Sequence, residues 1–136
     1  MNKPKTMQVR DVMNQNFQLI DGITVVRDAL RIMKQRDAHV LIVEKHHDGD
    51  EYGIVLVSDI AKKVLAKDRS LDRVNIYEIM SKPVVAVSPS MDIRYCARLF
   101  DDFGLAVAPV IDDDQVMGIV GYDEIVLNGL VKLQNV

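Results

Sequence analysis

Residues 53–60 read Gly53-Ile54-Val55-Leu56-Val57-Ser58-Asp59-Ile60, and residues 118–125 read Gly118-Ile119-Val120-Gly121-Tyr122-Asp123-Glu124-Ile125. Each stretch is an apolar strand that runs straight into an acidic side chain and then into a helical pattern. The acid therefore stands at a helix start, where backbone N–H groups lack helical partners and the helix dipole favours negative charge. Corners of this kind are used to hold the sugar and phosphate of a nucleotide.

Working outward, the two copies belong to a longer duplication. A shift of about 67 residues lays Val9-Arg10-Asp11-Val12-Met13 on Ile76-Tyr77-Glu78-Ile79-Met80, and Phe17 to Ile20 on Val84 to Val87. Arg27 and Arg31 fall on Arg94 and Arg98, and Val40 and Val43 on Val107 and Val110. A gap of about two residues in a turn then brings Gly53 onto Gly118. The chain divides into an N-terminal arm over 1–8, a first repeat over 9–66, a linker over 67–75 and a second repeat over 76–136.

Within each repeat the apolar spacing predicts one order of elements. A helical turn (Val9–Met13; Ile76–Met80) precedes a short strand (Phe17–Ile20; Val84–Val87). An amphipathic helix follows, with Val26, Ala29, Leu30 and Met33 in one copy and Ile93, Cys96, Ala97 and Phe100 in the other. Thr24 and Asp92 are placed to cap these helices. Two buried strands form a hairpin: Val40–Val43 with Gly53–Val57, and Leu105–Ile111 with Val116–Tyr122. Turns at His46–Asp50 and Asp112–Asp114 join them. A closing helix carries Ile60, Val64 and Leu65 in one copy and spans Ile125–Leu133 in the other. The class is α+β: two β-α-β-β-α repeats, packed sheet to sheet about an internal pseudo-twofold axis. One repeat of this size buries too little to stand alone.

Composition narrows the function. The chain has 136 residues, 49% of them hydrophobic, and a formal charge of -3. It has no basic run to neutralise phosphates, which argues against nucleic acid. It has no Trp and only 5% aromatics, so a stacking platform is absent. The lone Cys96 forms no internal disulfide, which fits a reducing, cytoplasmic setting. The N-terminus lacks an apolar secretory core, and no apolar run reaches the roughly 18 residues of a membrane helix.

The doubled strand-end motif, each copy preceded at the same distance by an acid-Val/Ile-Met helical turn, resembles the tandem CBS (cystathionine β-synthase) domain pair, or Bateman module. The resemblance covers about Val9 to about Leu130. It implies a regulatory, non-catalytic module with two quasi-equivalent sites in a cleft between the repeats, binding AMP, ADP, ATP or S-adenosylmethionine. In the family the last strand ends in Thr or Ser, followed after two residues by an Asp that accepts hydrogen bonds from ribose. The matching acids are Asp59 and Glu124, with Val57 and Ser58 before one and Asp123 before the other. Backbone around the first strand and the start of the second holds the base. That assigns Asn16, Phe17, Ala38, His39 and Val40 to one site, and Pro83, Val84, Ala106 and Val107 to the other; Gln15, Lys82 and Leu105 border them. The sequence departs from the family at Leu56 and Gly121, where the hydroxyl is missing. Asp123 stands where a phosphate contact is common, so the second corner suits a neutral or cationic adenosine compound, or none.

Each of these residues has a plainer role beside the functional one. Asp59 is also a helix N-terminal acid, Ser58 a potential cap, and His39 a surface residue at a strand edge. His46, His47, Asp48 and Asp50, and Asp112 to Asp114, read as solvated turns, so no metal is expected. Cys96 and the methionines read as packing. Tyr95, Leu99, Phe100 and Phe103 make helix 92–103 more apolar than one sheet face requires, which suggests a homodimer through the repeat helices. With no nucleophile, metal or phosphate-loop pattern, the chain is read as no enzyme and as needing no cofactor. A regulated effector protein would then be separate. The alternative is a ligand-independent dimerisation or docking module with decayed nucleotide sites.

Overall fold

The computed structural model describes residues 6–136; most of the expected arm over 1–8 lies outside the described residues. The chain forms two compact units, and their boundaries cross those of the sequence repeats. One, here the Asp59 unit, is Asn16–Val84. The other, the Glu124 unit, combines the segment up to Gln15 with Val85–Val136.

The Asp59 unit holds a three-stranded sheet of β1 (Gln18–Ile20), β2 (Val40–Val43) and β3 (Gly53–Leu56). β1 runs parallel to β2, and β3 antiparallel to it. Every residue of β2 is buried, as its unbroken apolar run requires. Helix α2 (Val26–Arg36) lays Val26, Ala29 and Met33 on Leu41, Val43 and Val55. Each large aliphatic side chain buried this way contributes about 1.5–3 kcal/mol. Thr24 does not cap α2. Val25 takes that position, and the N–H groups of Val26 and Arg27 donate to the carbonyls of Val74 and Leu71 at 2.9 and 3.0 Å. The inter-repeat backbone satisfies the helix start, so no hydroxyl is needed there. Arg27 is held to the same segment by Asp72 at 2.6 Å.

The Glu124 unit is built on a hairpin of β4 (Val107–Asp112) and β5 (Gln115–Gly121). Asp113 and Asp114 make its turn with φ of 49° and 63°, the paired left-handed conformation that suits tight hairpins. Helix α4 (Ile93–Phe103) starts at Asp92, whose Oδ1 accepts the Arg94 N–H at 2.7 Å, and stops at Gly104 with φ 64°. Ile93, Cys96 and Phe100 point into the core. Phe100 therefore does not belong to an outward face: it meets Tyr122 edge-on, with centroids 5.4 Å apart.

The strand expected at Val84–Val87 is not formed. Only Val87 bridges in parallel to Val110, donating to the Pro109 carbonyl and accepting from the Ile111 N–H, both at 3.0 Å. Pro109 has no N–H to continue the ladder, whereas Ile42 in the other unit has one.

Each unit is completed by a turn from the other sequence repeat. In the Glu124 unit α1 (Val9–Val12) donates from Val9 and Arg10 to the carbonyls of Met91 and Pro89, at 2.8 and 2.9 Å. In the Asp59 unit the 3-10 turn Ile76–Glu78 donates from Ile76 and Tyr77 to Thr24 and Gly22, each at 2.9 Å. Val9 and Val12 fill one core, and Ile76 and Ile79 the other. The closing helices both widen to π-helix. In the Asp59 unit α3 (Val57–Ile60) passes into Ala61–Leu65, where Val64 is buried and Leu65 is exposed. In the other unit Glu124–Leu130 passes into α5 (Val131–Leu133).

Candidate ligand site

Among the described residues four helical turns begin in the same way, with an acid that folds back onto the N–H three residues earlier. Asp11 accepts from Gln8, Asp59 from Leu56, Glu78 from Asn75 and Glu124 from Gly121, at 2.9, 2.8, 2.7 and 2.7 Å. One oxygen of Asp59 and one of Glu124 thus satisfy the junction between strand and helix. That is the plain structural role, and it fixes the direction of each carboxylate. The second oxygen remains for another partner.

At the Asp59 corner that oxygen, Oδ1, lies 3.7 Å from Lys63 Nζ, one helical turn on. Lys63 also donates to the Ile79 carbonyl at 2.9 Å. Parallel β1 and β2 start at the sheet edge where β3 ends, because Gln18 faces Leu41 and Val40 faces Leu56. That edge gathers Asn16, Phe17, Ala38, His39, Val40, Val57, Ser58 and Asp59. Asn16 is tied there by its Nδ2, which donates to the Asp37 carbonyl at 3.0 Å. Ser58 is exposed and does not cap the helix; Leu56 holds the N-cap position. His39 is exposed beside Asp37, at 3.7 Å.

At the Glu124 corner Val107 faces Gly121, and the Ala106 carbonyl would lie 3.1 Å from a Cβ at Gly121. Ala106, Val107, Asp123 and Glu124 thus share one edge. Beside it lies a cavity of about 430 Å³ lined by Arg10, Met13, Asn14, Gln15, Glu124 and Asn128. Asn14 is anchored by its backbone, which exchanges hydrogen bonds with Ile119 at 2.8 Å in both directions. Asn128 Nδ2 reaches the Val12 carbonyl at 3.4 Å. Pro83 and Val84 lie in the other unit, in the segment whose Ser81 bridges Ile54 near the start of β3. Within its own unit, then, Glu124 is accompanied by Arg10 and Asn128, which sequence reasoning did not single out, and by Gln15, which it grouped with Asp59. The signal for Arg10 was its register with Tyr77; nothing local in the sequence marks it.

Two further side chains weighed on the sequence, Asp50 and Cys96, have structural roles. Asp50 pairs with Lys82 at 2.5 Å and accepts the His46 N–H at 2.9 Å. The Lys82 hydrogen bond, then the His46 N–H, hold its carboxyl well below the usual carboxylate range. Burial raises the Cys96 thiol to about 11, which keeps it protonated and unreactive. Among the described residues no group of three or more His, Cys, Asp or Glu is placed to hold a metal ion, and no helix is long and apolar enough to cross a membrane.

The family model described as CBS domain matches twice, over residues 9–66 and 76–128. The chain belongs to the CBS domain family and carries the domain in tandem. A homoserine O-acetyltransferase from Methanosalsum zhilinae is 33% identical over 119 residues, which are 86% of this chain and 23% of that protein. The chain spans about a quarter of the length of such curated relatives. Among solved structures, a hexameric CBS-CP12 protein from bloom-forming cyanobacteria is 38% identical, with a TM-score of 0.88 over 92% of this chain and 72% of that one. The CBS domain pair of protein MJ0100, solved with 5′-methylthioadenosine and S-adenosyl-L-methionine, shares the fold. It is 24% identical, with a TM-score of 0.77 over 90% of this chain and 95% of that one.

Proposed function

We propose that this chain is a non-catalytic regulatory module that binds an adenosine-containing ligand, AMP, ADP, ATP or S-adenosylmethionine, at its strand-end corners and signals by a conformational change. The observation that carries this reading is the paired geometry of Asp59 and Glu124. Each carboxylate is aimed by one hydrogen bond to its own strand end, and its second oxygen, which at Asp59 also faces Lys63 at 3.7 Å, is the one offered to a sugar hydroxyl. The adenosine compounds held by the MJ0100 domain pair agree with that ligand class. Ligand binding shifts the conformation only as far as its affinities for the two states differ. The setting proposed is cytoplasmic, with a separate effector protein as the reader of the signal.

Thermal unfolding with each of the four compounds tests this, with Asp59→Ala as the control. A ligand at 100 times its Kd adds about 2.7 kcal/mol, a shift of several degrees for a domain of this size. A shift abolished in Asp59→Ala establishes the sensor and places it at that corner. No shift with any compound, in protein free of bound nucleotide, defeats it.

A second reading, a ligand-independent docking module, draws on the missing hydroxyls at Leu56 and Gly121 and on exposed apolar side chains. Tyr95 and Phe103 on α4 are 62% and 63% exposed, and Leu127 on the closing helix 64%. We propose that these helices make a homodimer in either case. Tyr95→Glu with Phe103→Glu is expected to yield monomer by light scattering.

A further inference from the structure

We propose that a groove along α2 seats the last turn of α4 from a second copy of this chain, so that two copies meet through unlike repeats. This rests on the reading of α4 as a dimer helix and adds what that helix packs against. The groove has a volume of about 500 Å³ and is lined by Arg27, Leu30, Arg31, Lys34 and Gln35 of α2 and by Leu71 of the inter-repeat segment. Leu30 and Leu71 are partly buried against the core of the Asp59 unit and supply the apolar part of the lining. Arg27, Arg31 and Lys34 are exposed, and no acid is among the lining residues. Arg27 is held by both oxygens of Asp72, at 2.6 and 3.1 Å. Arg31 has Asp28 at 2.8 Å, an exposed pair of the kind that contributes little. Lys34 has no hydrogen bond or ion pair among the described residues.

The opposite charge stands at the same register on the other repeat. Lys34 and Gln35 fall on Asp101 and Asp102, which precede Phe103 in the last turn of α4. Both acids are exposed, and neither has a hydrogen bond or ion pair among the described residues. They stand at the negative end of the helix dipole, where carboxylates are disfavoured and cations favoured. Helix α2 follows that rule, with Asp28 in its first turn and Lys34 and Arg36 in its last. Helix α4 breaks it, with no acid in its first turn and no base in its last. Its end is fixed without Asp101 and Asp102, because Gly104 takes the left-handed position and donates its N–H to the Phe100 carbonyl. The two acids therefore serve no need of α4 itself, and cations brought by a second copy would offset their unfavourable place. Phe103, exposed beside them, matches the apolar lining of Leu30 and Leu71. Packing α2 on α2 of the second copy would instead set cations against cations, which costs affinity.

The test is the self-association constant of the full chain, from sedimentation equilibrium, for wild type and three charge-reversed variants. One carries Arg31→Glu with Lys34→Glu, one Asp101→Lys with Asp102→Lys, and one all four changes. Each two-site variant is expected to associate at least about 10-fold more weakly than wild type, since it sets like charges together at the contact. The four-site variant restores the complementarity with the signs exchanged and is expected to recover to within about threefold of wild type. Phe103→Ala is expected to weaken association in wild type and in the four-site variant alike. A four-site variant that stays as weak as either two-site variant overturns the proposal, because the charges would then matter without facing each other. Indifference to Phe103→Ala overturns the seating of that ring. If the charge reversals change nothing while Tyr95→Glu with Phe103→Glu still yields monomer, the unlike pairing falls and the homodimer stands. A wild type that is monomeric at every concentration removes both.

Discussion

At the Asp59 corner the carboxylate faces a cation, Lys63, at 3.7 Å; at the Glu124 corner the same helical position is Asn128, and the cation lining the cavity is Arg10, from another segment. Both corners keep the same backbone bond from carboxylate to strand end. Both also tie the closing helix to the docked helical turn: Lys63 to Ile79 on one side, Asn128 to Val12 on the other. Duplication has preserved the hydrogen-bond frame and changed the charge mounted on it. The frame is what folding needs, because a buried N–H without a partner costs about 1–3 kcal/mol. The mounted charges are free to diverge, and ligand preference is expected to follow them.

The largest effect that separates the corners is expected at their opening glycines. A Cβ at Gly118 would lie 2.9 Å from the Asn14 carbonyl, a backbone atom already bonded to the Ile119 N–H. A Cβ at Gly53 would meet the Met80 sulfur at 2.6 Å, the far end of a flexible side chain. Gly118→Ala is therefore expected to cost about 2–3 kcal/mol and Gly53→Ala about 1 kcal/mol, within the range for overpacking. Urea unfolding with an unchanged m-value measures both. Equal losses, or a larger one at Gly53, would mean that the two turns dock with the same rigidity.

Those glycines show how far the sequence could be read. The repeated Gly-Ile-Val run located both strands, and the preceding acid-Val/Ile-Met turn was visible twice. The link between them, Met13 lying over Gly118 and Met80 over Gly53, was not visible, because each turn serves the unit of the other repeat. Taken as contiguous blocks, the repeats put Gln15 beside Asp59 and left Arg10 unnoticed. Asp92 was legible as a cap because a side chain performs that role locally. Thr24 misled because carbonyls of Leu71 and Val74, far along the chain, took the role instead. The missing strand at Val84–Val87 did have a local sign: Pro109, in the middle of the run it would have paired with.

A smaller contrast lies in the ties of the closing helices. Lys63 reaches the Ile79 carbonyl at 2.9 Å in a partly buried site, whereas Asn128 reaches Val12 at 3.4 Å. Lys63→Ala is expected to cost about 1 kcal/mol, and Asn128→Ala less than about 0.5 kcal/mol, since long hydrogen bonds are weak. Paired melting curves decide it. A larger loss at Asn128 would show that its amide, not the backbone frame, holds α1 in place.

The smallest effect concerns acid. In the Asp59 unit Asp50 and Lys82 are paired, and counting by the same register gives Gln115 and Gln15 in the Glu124 unit, two amides that do not titrate. The folded Asp50 carboxyl is held below its unfolded value, first by Lys82 and then by the His46 N–H. Its stabilisation is thus fully present above the unfolded value of about 3.9 and is lost as pH falls toward the folded one. Hydrogen exchange compared at about pH 5 and about pH 3 is expected to loosen the start of β3 and Ser81 before the Asn14–Ile119 bridge. Asp50→Asn is expected to remove that difference by making the local stability low and insensitive to acid at both pH values. If both bridges loosen together in the wild type, and Asp50→Asn changes nothing, the ion pair is a surface contact without structural consequence.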